Sequence, residues 1–228
     1  MPNFLEGEIL LINKPKHWTS FDIVKKVRSI LYHKLGLKKV KVGHAGTLDP
    51  LATGLLILCT GKKTKIIESI QSTKKEYSGI IQLGGTTPSY DLETAVENEK
   101  SYDHLEPSQI SAAANSFIGS IHQFPPKFSA IKIDGQRAYK AARKGQDIEI
   151  KSKIVQIDQF EIVKVDLPEV HFKVVCSKGT YIRSLAHDLG ERLKVGGYLK
   201  ELKRNGIGEY RLEDAIDVED FERQLQSL

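Results

Sequence analysis

Between Gly54 and Gly61 the chain carries an uninterrupted apolar run, Leu55-Leu56-Ile57-Leu58-Cys59, closed by Thr60. The run is too short for a helix of ordinary length and continuous rather than alternating, which predicts a strand buried on both faces. Such a strand obliges the chain to supply cover on two sides. Directly ahead of it stands Gly43-His44-Ala45-Gly46-Thr47-Leu48-Asp49-Pro50. Pro50 fixes its own φ and biases Asp49 away from helical dihedrals, so the carboxylate is predicted on a held, extended turn. Gly43, Ala45 and Gly46 are small enough to let a large ligand approach the backbone. Local chemistry alone reads Asp49 equally as a reacting acid or as an aspartate that initiates a turn through its own side chain.

Elements around this centre follow from patterning. Glu8 to Ile12 reads as a strand ending in the turn Asn13-Lys14-Pro15, and a helix starts near Thr19 or Ser20, with Ile23, Val24, Val27, Ile30 and Leu31 on one face. Lys62 to Ile70 reads as a short helix. Glu76 to Leu83 reads as a strand with Tyr77, Gly79, Ile81 and Leu83 on one side. Residues 84–102 are polar and turn-rich, an irregular loop, and a helix follows from about Pro107 to Ile118. Asp134-Gly135 between strand-like residues signals a hairpin, with a basic helix from Ala138 to Gly145. Strands at 154–165 and 170–176 lead into a helix holding Ile182, Leu185, Ala186 and Leu189. Tyr198 to Arg204 is a basic segment and Glu209 to Leu228 an acidic amphipathic tail. Without regular βαβ alternation, the fold class is α+β: a mixed, mostly antiparallel sheet flanked by helices and loops. The expected organisation is one catalytic domain over residues 1–228, with 125–150 as an arm that either contacts nucleic acid or is a solvated hairpin.

The net charge of +5 is unevenly spread: residues 1–80 hold 14 Lys/Arg against 6 Asp/Glu, and the rest hold 20 against 23. A basic field around Asp49 suits a polyanion. Cys59 and Cys176 lie in apolar runs and read as reduced core residues of a cytoplasmic protein. A membrane location is not expected, because no stretch of 18 apolar residues occurs. Scattered histidines without HExxH or CxxC argue against a metal site. Gly61-Lys62-Lys63-Thr64 lacks the upstream glycine of a phosphate loop, and no GxSxG elbow is present. A single acid, a basic field and aromatics fit chemistry on a base within RNA, which requires unstacking the target against an aromatic face. Tyr77 and Tyr181 can supply that face, and each also reads as an ordinary core or rim tyrosine.

Five blocks in order, GHAGTLDPLATGLL, Lys75-Glu76-Tyr77, PPKFSAIK, SKGTYIRSLAHDLG and Leu202-Lys203-Arg204, resemble the B-type family of pseudouridine synthases, the tRNA pseudouridine-55 synthases. The resemblance implies the pseudouridine synthase fold and isomerisation of uridine in the T loop of tRNA, by a monomer, without cofactor or metal. By the same resemblance Asp49 is the catalytic aspartate, His44 contacts RNA near the flipped nucleotide and Tyr77 stacks on the target uracil. Tyr181 and Leu202 line its pocket, Arg183 pairs with Asp49, and Lys65 binds substrate.

Two departures accompany the resemblance. The chain ends where many relatives continue into a small C-terminal RNA-binding domain, so a short form without that domain is expected. The loop from Gly85 to Asp91 keeps only part of the family pattern, which weakens the case for RNA contacts there and leaves the pocket untouched. The alternatives are an RNA-guided pseudouridine synthase subunit, whose catalytic domain has related blocks, and an RNA-folding chaperone without turnover.

Overall fold

A computed structural model describes residues 2–129, 132–133, 136–137 and 150–226. In chain order the elements are β1 (Ile9–Lys14), α1 (Ser20–Leu35), β2 (Val42–His44), β3 (Thr53–Thr60), a 3-10 helix (Gly61–Ile66), α2 (Ile67–Ser72), β4 (Lys75–Leu83), α3 (Pro107–Asn115), β5 (Gly119–Gln123), β6 (Lys132–Ile133), β7 (Gln136–Arg137), β8 (Lys153–Asp166), β9 (Glu169–Cys176), α4 (Ile182–Arg192), β10 (Gly197–Ile207), β11 (Tyr210–Arg211), a 3-10 turn (Leu212–Asp214) and α5 (Val218–Gln226). Strand pairing is mainly antiparallel, and the chain divides into two compact units, residues 1–77 with 202–228 and residues 78–201.

The first unit is built on β3. Antiparallel β1 sets Ile9 opposite Cys59 and Lys14 opposite Gly54, antiparallel β2 sets His44 opposite Leu58, and parallel β10 sets Arg204 opposite Gly54. The expectation of two buried faces holds residue by residue. Leu56 and Leu58 enter one apolar cluster with Ile23, Val27 and Leu31, while Leu55, Ile57 and Cys59 enter another with Ala45, Ile70 and Ile207. At roughly 1.5–3 kcal/mol for each fully buried aliphatic side chain, β3 is the main anchor of this unit. Thr19 begins α1 with a capping box to Asp22, and Gly36 ends it in the left-handed conformation. The segment read as an acidic tail finishes as α5, whose Val218, Phe221 and Leu225 complete the first cluster and whose Glu222 receives Lys26 Nζ at 2.8 Å.

In the second unit the strand order is β4-β9-β8-β5. The 14-residue β8 pairs antiparallel with β9, Ile157 opposite Cys176, and with β5, Gly119 opposite Ile157. Phe160 on β8 meets Phe172 edge-on at 5.8 Å and Phe117, just after α3, at 6.3 Å. Residues 84–102 form the expected irregular loop, tied by isolated bridges Thr86–Glu97 and Asp91–Leu199. Lys132 pairs with Arg137 and Ile133 with Gln136, in keeping with a hairpin. Its turn residues Asp134 and Gly135, and the basic helix expected over 138–145, lie outside the described residues.

Two expectations are corrected. The segment from Tyr198 to Arg204, read only as basic, is most of the strand β10. The expected helix from Lys62 to Ile70 is a 3-10 helix followed by the six-residue α2.

Candidate active site

The loop carrying Asp49 is held at four places within the first unit. Leu48 donates its backbone N–H to Ser20 Oγ at 2.8 Å, and the same hydroxyl donates to Leu48 O at 3.2 Å. His17 N–H reaches Pro50 O at 2.7 Å, and Ala52 N–H reaches Asp49 O at 3.1 Å. Arg204 supplies the fourth tie. Its guanidinium is 1% exposed and donates to Leu55 O (2.8 Å), Gly46 O (3.0 Å) and Thr47 O (3.3 Å). One planar cation thus joins β3, β10 and the loop, a task suited to the fixed fork of donors on arginine. Asp49 itself is half-buried, on the held turn that Pro50 predicted.

Lys14 lies beneath the same loop. It is fully buried at the end of β1, and its Nζ donates to Trp18 O at 2.7 Å and Pro15 O at 2.9 Å. Burial pushes its pKa down to about 8; the Asp49 carboxylate opposes that shift and the Arg204 charge adds to it. The Lys14 ammonium is therefore a close positive neighbour of Asp49 at neutral pH. His44 is half-buried, and burial, followed by the charge of Arg204, holds its imidazole below the ordinary histidine value against an opposing contribution from the Gly46 backbone. It is neutral at pH 7 and offers ring nitrogens for hydrogen bonding without charge.

Of the small residues before Asp49, Gly43 and Ala45 serve packing, whereas a Cβ on Gly46, at φ +103°, would meet only Arg204 Nη1 at 3.5 Å. A Cβ on Gly43 would stand 2.8 Å from the Ile67 side chain, and Ala45 is wholly buried in the second cluster. Tyr77, 8% exposed, lies on the buried side of β4 as the alternation predicted. Leu202 is half-buried and its carbonyl accepts from Thr53 Oγ1 at 3.4 Å. Lys65 is exposed on the 3-10 helix.

Tyr181 and Arg183 belong to the second unit. Gln123, 0% exposed, clasps the Tyr181 backbone at both groups, Nε2 to Tyr181 O at 3.0 Å and Tyr181 N to Oε1 at 2.8 Å. Lys153 Nζ stands 4.4 Å from the centre of the Tyr181 ring. Arg183 opens α4 with its side chain buried. Its Nε lies 3.6 Å from Asp91 Oδ2, and its Nη1 donates to Phe128 O (3.0 Å) and Ser89 O (3.2 Å). The loop from Gly85 to Asp91, set apart from the pocket on the sequence pattern, therefore supplies the carboxylate beside Arg183. Lys14, Ser20, Asp91, Gln123 and Arg204 are the residues that the sequence left unassigned. Lys14, directly ahead of Pro15, signalled only a turn, Ser20 only a helix start, and Arg204 stood in a family block without a role.

The family model for the TruB family pseudouridylate synthase N-terminal domain matches residues 33–182, and the model for the tRNA pseudouridylate synthase B C-terminal domain matches residues 183–227. The chain belongs to the TruB family of pseudouridylate synthases. Among members of this family, the tRNA pseudouridine synthase B of Phocaeicola vulgatus is 53% identical over 98% of this chain and 95% of its own length. That of Flavobacterium johnsoniae is 52% identical over 98% of both chains. The fold is also similar to a solved chain titled as a Cbf5-Nop10-Gar1 complex, with a TM-score of 0.73 and 26% identity over 96% of this chain; it spans 54% of that chain. No helix among the described residues is long and apolar enough to cross a membrane, and no group of three or more His, Cys, Asp or Glu is placed to hold a metal ion.

Proposed function

We propose that this chain is a tRNA pseudouridine synthase that isomerises uridine 55 in the T loop, acting as a monomer. Identity of about half over nearly the whole of both chains to proteins named tRNA pseudouridine synthase B carries the reading. A carboxylate on a loop fastened at four places, with Lys14 near it, supplies the matching chemistry. The reaction breaks the bond from N1 to C1′, turns the base and forms the bond from C5 to C1′, with the C5 proton released and N1 protonated. Atoms are conserved, and no redox partner is required. Asp49 serves as the reacting group, by attack on C1′ or C6 or by taking a sugar proton.

The remaining assignments follow the family likeness. Tyr77 stacks on the flipped uracil, and Tyr181 and Leu202 line the space around it. His44 and Lys65 contact the RNA. Arg183 is the charge partner of the reacting carboxylate, and the buried Asp91 carboxylate with two carbonyls holds it in one orientation. The test is Asp49→Asn. It removes charge and nucleophilicity with almost no change of volume, so pseudouridine formation in an unmodified tRNA transcript should vanish while RNA affinity stays within a few fold. Turnover close to the parent's rate would reject the assignment.

A further inference from the structure

Tyr90 is flanked in the chain by the two residues of the 85–91 loop that grip Arg183. Ser89 O lies 3.2 Å from Arg183 Nη1, and Asp91 Oδ2 lies 3.6 Å from Arg183 Nε. The Tyr90 ring turns away from that grip and lies flat on the imidazole of His187, with ring centres 3.9 Å apart and planes 8° from parallel. His187 is four residues beyond Arg183 on α4, so the two side chains are neighbours on one face of the helix. Helix and loop therefore meet twice, once through Arg183 and once through the stacked rings.

The backbone of the loop makes the second meeting informative. Tyr90 has φ +63°, a region that glycine enters freely and a bulky side chain rarely. Tyr90 N–H donates to Thr87 O at 3.1 Å, and Leu199 N–H donates to Tyr90 O at 2.9 Å. Thr87 Oγ1 and Ser89 Oγ both close on Asp91 O, at 2.7 and 3.1 Å. These bonds shape the loop, and a glycine at position 90 would suit them better than a tyrosine. What the tyrosine adds is the ring.

Both rings are neutral at pH 7. Burial raises the Tyr90 hydroxyl, with Asp188 and Glu191 adding to the shift and Lys127 opposing it, and burial holds the His187 imidazole below the ordinary histidine value against Glu191. Nδ1 of His187 is buried without a hydrogen-bond partner among the described residues. On that edge it is packing rather than hydrogen bonding that sets the plane of the imidazole, and a near-parallel aromatic neighbour does so.

We propose that Tyr90 and His187 are positioning residues for the reaction: their stack fixes residues 89–91 against α4 and thereby orients the Arg183 guanidinium. The proposal rests on the reading of Arg183 as the charge partner of Asp49. The groups on Arg183 come from the residues immediately before and after Tyr90, so a displacement of Tyr90 moves an accepting carbonyl and a carboxylate together. Phe128 O, which also accepts from Nη1 at 3.0 Å, belongs to another segment and does not follow. The guanidinium must then turn, and a shift of about 1 Å in such a constellation costs on the order of a hundredfold in rate.

The test measures kcat and KM on an unmodified tRNA transcript for the parent, Tyr90→Leu, His187→Leu and the double variant, and for Tyr90→Phe and His187→Phe, which keep a flat ring. Each leucine variant should lower kcat about 10- to 100-fold with KM within about twofold of the parent. The double variant should lose no more than either single one, because both remove the same stack. Both phenylalanine variants should keep the parent's kcat. If Tyr90→Leu fails to fold, Tyr90→Gly, which accepts φ +63° without strain, makes the same test. In parallel, the Nε–H signal of Arg183 in proton–nitrogen correlation spectra, assigned by its loss in Arg183→Lys, reports the guanidinium itself. It should shift in the leucine variants and hold in the phenylalanine variants. An unmoved signal in the leucine variants would overturn the proposal at any rate of turnover. Additive losses of kcat in the double variant, losses confined to KM, or phenylalanine variants as slow as the leucine ones would overturn it as well. Because the signal is read without turnover, a parent that forms no pseudouridine would refute the enzymatic reading, and the signal would still decide whether the pair places Arg183.

Discussion

Replacing Arg204 by methionine tests whether one buried cation holds the reacting loop. The side chain is 1% exposed, and its guanidinium donates to Leu55 O, Gly46 O and Thr47 O. Methionine fills a similar length of space but donates nothing. Leu55 is 0% exposed on β3, so its carbonyl loses a donor that water cannot readily replace, at about 1–3 kcal/mol. The part-buried carbonyls of Gly46 and Thr47 recover some hydration, and each costs about 0.5–1.5 kcal/mol. Relief of the desolvated charge offsets part of this, leaving a loss of about 2–4 kcal/mol. For a chain of this length that corresponds to a fall in Tm of roughly 4–16 °C. The catalytic effect should exceed the stability effect: a loop released by about 1 Å costs on the order of a hundredfold in rate. Urea unfolding and single-turnover pseudouridine formation, both well below the variant's own midpoint, give the two numbers. Stability within 0.5 kcal/mol of the parent, together with kcat within twofold, would refute the view that Arg204 fastens the Asp49 loop.

Gly54→Ala should be among the most damaging single changes, because Gly54 has φ +100° and the added Cβ would stand 2.4 Å from Arg204 O and 2.8 Å from Arg204 N; a soluble variant with a Tm within 2 °C of the parent would contradict the parallel pairing of β3 and β10. For Lys14 the folded pKa of about 8 lies below the ordinary lysine value of 10.5, so between pH 8 and 10.5 the unfolded chain binds more protons and stability rises with pH through Lys14. The rise should be absent in Lys14→Met, and unfolding midpoints taken across that window check it. Tyr77→Ala should weaken RNA binding by roughly 1–3 kcal/mol and abolish turnover, whereas Tyr77→Phe should keep its fold and bind RNA normally; an alanine variant unchanged in both affinity and rate would make Tyr77 an ordinary strand residue.

What could be read from the sequence depended on whether the signal was local. The run from Gly54 to Gly61 announced a doubly buried strand because burial on two faces leaves no room for alternation, and α1 was legible from Thr19 and its 3.6-residue apolar period. Pro50 told correctly that Asp49 would be held. Strand β2 was hidden because three residues, Val42-Gly43-His44, are too few to show a period. Strand β10 was hidden because Lys200, Glu201, Lys203 and Arg204 dominate its composition; its place is set by pairing with β3, a long-range contact that no window of neighbouring residues records.

Buried cations explain why the support of the site was less legible than its reacting group. A sequence reader counts Lys14 and Arg204 into a surface field, because lysine and arginine are almost never fully buried. Both are nevertheless shielded here, and neither is neutralised by an ion pair with a carboxylate among the described residues: backbone carbonyls take up their donors, two for Lys14 and three for Arg204. Carbonyls are present at every position, so this kind of partner leaves no trace in residue identity. The consequence is a division of labour within the basic half of the chain. Lys14 and Arg204 serve the loop and the electrostatics around Asp49 and His44, whereas Lys39, Lys41 and Lys65 stay exposed. Changes at Lys14 and Arg204 should accordingly alter kcat and stability while leaving the salt dependence of RNA binding constant.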